Sequence, residues 1–200
     1  MPSLWTDITD FVDQQMGIGV GFFITYVIAK FLTKQMKSRT DKYPVFLTNL
    51  IHYGLLILVG LYFKAKQIHK DCKGENIGFD IGRGLIESIL AVCVTDILVM
   101  ATSSLGPISM FIKGFEKIPY VGGAFIWVGH YIIFGVSYKL LLELLSTISS
   151  STKNKAYCSS VTGNEIIFSM ATLILALLLN KTDCLNRPDD LYYDEDEYSG

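Results

Sequence analysis

Residues 43 to 63 read YPVFLTNLIHYGLLILVGLYF and residues 118 to 138 read IPYVGGAFIWVGHYIIFGVSY, two runs of 21 residues without a formal charge, each closed at both ends by lysine. As a helix, a run of that length reaches about 30 Å, the thickness of one hydrocarbon core. Tyrosines stand at both ends of each run (Tyr43 and Tyr62; Tyr120 and Tyr138), where an apolar ring with a polar tip suits the headgroup boundary. These stretches decide the fold class. The apolar residues are gathered into bilayer-length blocks instead of being spaced around a soluble core.

Composition agrees with that reading. Half of the 200 residues are hydrophobic, 18% are charged, and the mean hydropathy is +0.39, a balance that points to membrane rather than cytosol. Outward from the two long runs lie shorter ones. QQMGIGVGFFITYVIA (14 to 29) stops at Lys30, whose stem can snorkel towards the surface, and IIFSMATLILALLLN (166 to 180) is flanked by Glu165 and Lys181. The expected fold is all-α: a polytopic integral membrane helical bundle of four to five transmembrane helices, with spans near 16–32, 43–63, 85–112, 118–138 and 166–180. A short amphipathic acidic helix over 1–15 precedes it, and an acidic tail over 181–200 follows.

In the N-terminal stretch Leu4, Trp5, Ile8, Phe11 and Val12 recur at helical spacing, with Asp7, Asp10 and Asp13 elsewhere around the turn. An acidic polar face favours a protein partner over anionic lipid; the competing reading makes these residues a first turn that caps the first span. The same acids, with no basic residue before the first span, argue against a cleavable signal peptide. Four lysines and Arg39 in 30 to 42 put that connection on the cytoplasmic side. A five-span layout nevertheless has nine Lys/Arg on that side and eight on the other, so charge does not choose between four spans and five. The tail carries six acids between Asp189 and Glu197 and reads as a solvated segment.

Glycines at helical spacing, Gly17 with Gly21, Gly78 with Gly82, and Gly122 with Gly129 a heptad apart, are expected to admit neighbouring helices in a packed bundle. Cys72 and Cys158 fall on one side if all five segments cross and can pair in an oxidising lumen; free thiols are the competing reading. The cysteine spacing fits no metal or redox motif.

The third segment carries acids where acids are costly. Asp80, Arg83 and Glu87 fall within about 60° of one another on a helix, so Asp80 with Arg83 and Arg83 with Glu87 are expected to neutralise one another near an interface. Asp96 lies about 180° from Glu87, deep in the span, where an aspartate costs on the order of 3 kcal/mol unless it finds a partner. His52 and His130 stand near the middle of their own runs. The three residues form a candidate intramembrane polar cluster, read either as interhelical hydrogen bonds or as a proton relay or cation site.

No metalloprotease, hydrolase-elbow or phosphate-loop motif occurs in the sequence. The expected role is therefore non-enzymatic: a small multi-span structural or assembly subunit of a larger complex, in an organelle membrane or the internal membrane of a virus particle. Its expected partners are the lipid bilayer and other membrane or peripheral proteins, in a homo- or hetero-oligomer, with no nucleic acid, cofactor or metal. The alternative is a proton-coupled transporter or cation channel using Asp96 with His52 and His130.

Overall fold

The computed structural model describes residues 4–39, 45–72, 77–116, 118, 121–148, 158 and 161–181. These residues form six α-helices and no strand: α1 (Leu4–Arg39), α2 (Val45–Asp71), α3 (Ile77–Ser103), α4 (Gly106–Glu116), α5 (Gly122–Ile148) and α6 (Gly163–Lys181). Three stretches, Val12–Leu32, Ile77–Ser103 and Gly122–Leu142, are long and apolar enough to cross a membrane, and Gly163–Leu179 is a shorter apolar helix. The acidic tail from 182 onward and the serine-rich stretch 149–157 lie outside the described residues.

Two boundaries differ from the sequence reading. Residues 4 to 15 are not a separate helix; they are the first turns of α1, whose 36 residues run unbroken past both ends of its apolar stretch. Nothing between Asp13 and Gly17 breaks the helical hydrogen bonds, because the sequence there has no proline and only one glycine. The third segment, by contrast, does not reach residue 112. Thr102, Ser103 and Ser104 turn their hydroxyls back onto the Leu98 and Met100 carbonyls, competing with the backbone ladder. Gly106 and Pro107 follow, and α4 starts afresh as an 11-residue helix, about 16 Å long and too short to cross.

α3 is the centre of the bundle, packed against α2, α4, α5 and α6, while α1 packs against α2 and α5. α1 and α2, α2 and α3, and α3 and α5 run antiparallel. Tyr26 meets His52, Gly84 meets Ala65, and Glu87 meets Tyr138. α6 runs parallel to α3, since Arg83 and Glu165, both in the opening turns of their helices, are paired. A disulfide joins Cys72 and Cys158 with a Cα–Cα separation of 5.5 Å, so both of these thiols are consumed.

Between α1 and α5 sits an aromatic core. Phe22 lies 5.1 Å from the Trp127 ring and 4.7 Å from Tyr131, and Trp127 stacks on Tyr131 at 5.9 Å. Each such pair contributes about 0.5–1.5 kcal/mol beyond its buried area. The outward faces are apolar as well, with Leu58, Ile133, Ile167 and Phe168 each at least 60% exposed. The buried class, meanwhile, includes Gln15, Asp80, Arg83, Glu87 and Asp96. Charge inside and hydrocarbon outside is the reverse of the distribution in a water-soluble domain.

Close helix approach does not follow the glycine pairs singled out from spacing. Gly17, Gly82 and Gly129 have open space where a Cβ would project, Gly78 is exposed and Gly122 buried; of those with a measured approach only Gly21 is filled, by Phe63. The tightest contacts are at Gly60, where a Cβ would overlap Ser88 Oγ, and at Gly21 against the Phe63 ring; at Gly84 it would meet the Ala65 backbone nitrogen at 3.0 Å. Spacing marks a helix face, but a neighbour's side chain decides which glycine on it is needed. Gly60→Ala is therefore expected to destabilise the bundle by about 1–3 kcal/mol through overpacking. Gly54→Ala, with nothing within 4 Å, is expected to be neutral or stabilising by up to about 1 kcal/mol from helix propensity. Thermal unfolding of both variants in mild detergent checks the contrast.

Candidate functional site

Arg83 is 1% exposed, and a buried guanidinium must find its counter-charge inside the protein. It has two. Its Nη2 lies 3.1 Å from Glu87 Oε1, one helical turn along α3, and its Nη1 lies 2.6 Å from Glu165 Oε1 on α6. Glu87 Oε1 also accepts a hydrogen bond of 2.9 Å from the Tyr138 hydroxyl on α5. One ion triad with one phenol thus ties three helices together.

The pairing corrects part of the expected charge cluster. Arg83 and Glu87 do pair, but Asp80 turns to α2, where its Oδ2 meets His69 Nδ1 at 2.8 Å. The helix register explains this, since Ala65 against Gly84 carries His69 to the level of Asp80. The third acid of the network, Glu165, is held by a capping box at the start of α6. Its Oε2 accepts from the Thr162 backbone N–H at 2.8 Å, while Thr162 Oγ1 accepts from the Glu165 N–H at 3.4 Å. Burial pushes the Glu165 carboxyl up, yet the Thr162 N–H and the Arg83 guanidinium outweigh it and hold the group below its ordinary value. Lys64, the first residue beyond the uncharged 43–63 run, is pulled below its ordinary value by burial, with the Glu87 charge acting the other way.

His52, Asp96 and His130 are placed on three helices. Asp96 Oδ2 accepts a hydrogen bond from the Tyr53 hydroxyl on α2. His52, next to Tyr53, presents its ring to the edges of Tyr26 at 5.3 Å and Tyr53 at 6.0 Å. His130 is engaged elsewhere along α3: its Nδ1 donates to the Ile126 carbonyl at 2.8 Å and its Nε2 meets Thr102 Oγ1 at 2.7 Å. Thr102 is six residues beyond Asp96, about 9 Å of helix rise. Tyr53 therefore brings Asp96 and His52 to one neighbourhood, while His130 is held one and a half turns away.

Among the described residues, several buried side chains have a polar atom without a hydrogen-bond partner: both amide atoms of Gln15, Gln67 Oε1, Arg83 Nε, Thr95 Oγ1, Trp127 Nε1 and the Tyr131 hydroxyl. Each such group costs about 1–3 kcal/mol if it stays dry. No group of three or more metal-ligating side chains occurs among the described residues.

Several of these residues escape a reading by hydropathy. Tyr53 and Tyr138 read there as interfacial or apolar, although each hydroxyl meets a carboxylate. Glu165 reads as a flanking charge, and its signal was the T-x-x-E spacing from Thr162, a capping box ahead of an apolar run. Gln15 has no comparable signal, because it sits beside an exposed Gln14 and only the helix phase separates them.

No family model, curated protein or solved structure matches the chain.

Breaking the triad by Arg83→Met leaves Glu87 without its buried counter-charge and is expected to destabilise the fold by about 3–5 kcal/mol. For Glu165 the sign follows from its depressed pKa: the stabilisation is present above the ordinary carboxylate value and is lost as pH falls through the folded-state value. The Tm gap between wild type and Glu165→Gln is thus expected at neutral pH and should close on acidification. A pH series of melting curves measures it.

Proposed function

We propose that this chain is a multi-pass membrane protein with a structural or assembly role, whose helices α1, α2, α3, α5 and α6 all cross the bilayer. The outward apolar faces and inward charges support the membrane reading. Five crossings put the Cys72–Cys158 disulfide on one side, and a disulfide supports an oxidising compartment there. The lysine-rich 30–42 connection then faces the cytoplasm, as the positive-inside rule favours.

One observation carries the structural role. Five polar side chains of α3 are used in ties to its neighbours: Asp96 to Tyr53 and Ser88 to the Ile57 carbonyl on α2, Glu87 to Tyr138 and Thr102 to His130 on α5, and Arg83 to Glu165 on α6. Such contacts contribute about 0.6 kcal/mol each in membrane bundles and fix which helix lies beside which. A dedicated conduction path would keep its titratable groups on a shared water-lined route instead. The partners proposed are other membrane or peripheral proteins of a complex, met by the exposed helix faces and charged ends.

Two measurements test the reading. Purified in mild detergent, the protein should run as an oligomer or with a co-purifying partner. Reconstituted in liposomes, wild type and Asp96→Asn should both show no proton or cation flux, with the mutant melting at lower temperature. A monodisperse monomer with flux that Asp96→Asn abolishes would sink the assembly role and support a transporter or channel using Asp96, His52 and His130.

A further inference from the structure

The bundle leaves α4 largely uncovered. The helix links the end of α3 to the start of α5 and packs against both, yet among its described side chains only Ile112 is buried. Ile112 therefore marks the direction of the protein. At about 100° per residue, Ile108, Phe115 and Phe111 lie about 40° to 100° to one side of it, and Glu116, Ser109 and Lys113 about 40° to 100° to the other. The first side is apolar and open. Ile108 and Phe115 are exposed, Phe111 is 72% exposed, and the two phenyl rings lie 5.4 Å apart. On the second side Lys113 is exposed and Ser109 half-buried. Met110, opposite Ile112, is exposed as well, as single apolar side chains on a surface commonly are.

Protein, hydrocarbon and water meet around a membrane protein at the bilayer face, and α4 has one sector suited to each. Its place in the chain agrees. The stretches Ile77–Ser103 and Gly122–Leu142 are long and apolar enough to cross, and α3 and α5 run antiparallel, so the segment between them starts and ends at one face. At about 16 Å, α4 is too short to leave it. Five crossings put that face on the side of the lysine-rich 30–42 connection, opposite the disulfide. Leu105 and Ile118, on either side of the helix in sequence, are exposed too, so the apolar surface continues past both ends of α4. A protein partner fits the patch less well. Its footprint is about 16 Å by 10 Å, or about 160 Å², whereas a stable interface takes about 800 Å² from each side.

We propose that α4 is an interfacial helix whose Ile108, Phe111 and Phe115 enter the leaflet on the 30–42 side, with the acyl chains of that leaflet as their partner. The proposal rests on the reading that α3 and α5 cross the bilayer, and three spin labels tell the two apart. In a Cys184→Ser chain, where Cys93 is buried and Cys72 is paired with Cys158, a nitroxide is attached after Phe111→Cys, Lys113→Cys or Ile133→Cys. All three positions are exposed, and residue 133 is midway along the apolar stretch of α5. In phosphatidylcholine vesicles, electron paramagnetic resonance compares collisions with oxygen, which concentrates among acyl chains, and with a water-soluble nickel chelate. Oxygen is expected to dominate at 111 and 133, and nickel at 113. Nickel dominating at 111 while oxygen dominates at 133 overturns the interfacial helix and leaves the crossings standing. Shielding of 111 from both reagents overturns it as well, because a second copy or another protein surface then covers the face. Nickel dominating at 133 removes the crossing itself, and the proposal with it.

Discussion

A guanidinium cannot be left alone in a helical bundle, and the position of Arg83 imposes that constraint on everything around it. Its charge is matched one turn further along its own helix by Glu87 and across the bundle by Glu165. The first pairing costs no long-range order, since an i, i+4 pair forms wherever the helix forms. The second requires α6 to arrive with its first turn beside the first turns of α3. That is why α6 runs parallel to α3, and why its start is held by a capping box that leaves one carboxylate oxygen for the backbone and the other for Arg83. A buried ion pair is weak evidence of stability but good evidence of register. Here it discriminates among arrangements of apolar helices that hydrocarbon contacts alone would leave nearly equivalent.

The remaining polar contacts repeat that logic at other depths. Ser88 donates to the Ile57 carbonyl at 2.7 Å where Gly60 allows α2 to come close. Tyr53 meets Asp96 further along, and Thr102 meets His130 near the far end of α3. Where α1 joins the bundle the device changes to shape, with Phe22 wedged between Trp127 and Tyr131. Interdigitating aromatics and paired polar groups thus specify which helix faces meet.

Hydropathy along the sequence suffices for the all-helical class of the fold, because helix length and charge exclusion are local properties: residues 45–63 of the first 21-residue run lie in α2 and residues 122–138 of the second in α5. Local too is the Arg83–Glu87 pair. What escapes such a reading depends on the neighbour. Asp80 is three residues from Arg83 yet bonds His69, because the α2 register brings an imidazole to it. Gly17 and Gly21 share a face, yet only Gly21 receives a ring. Asp96 read as a carboxylate in need of a partner, and the Tyr53 phenol is one; a tyrosine inside an apolar run contributes to mean hydropathy without announcing its hydroxyl. The helix break before Gly106 was visible as Gly-Pro, although the three hydroxyl residues that precede it were needed to end α3 as early as Ser103.

The bond between Cys72 and Cys158 also has a topological meaning. Joining cysteines 86 positions apart in sequence, it closes a macrocycle that contains α3, α4 and α5 whole, while α1 with α2 hangs from one junction and α6 from the other. Both ion pairs that fasten this macrocycle to its appendages, His69 with Asp80 and Arg83 with Glu165, lie within a dozen residues of a junction. A peptide bond cut anywhere inside the macrocycle, for instance in the turn between α3 and α4, therefore opens it without separating the molecule. The two strands of the nicked chain remain covalently one, and the junction that holds them is the place where the polar network is densest.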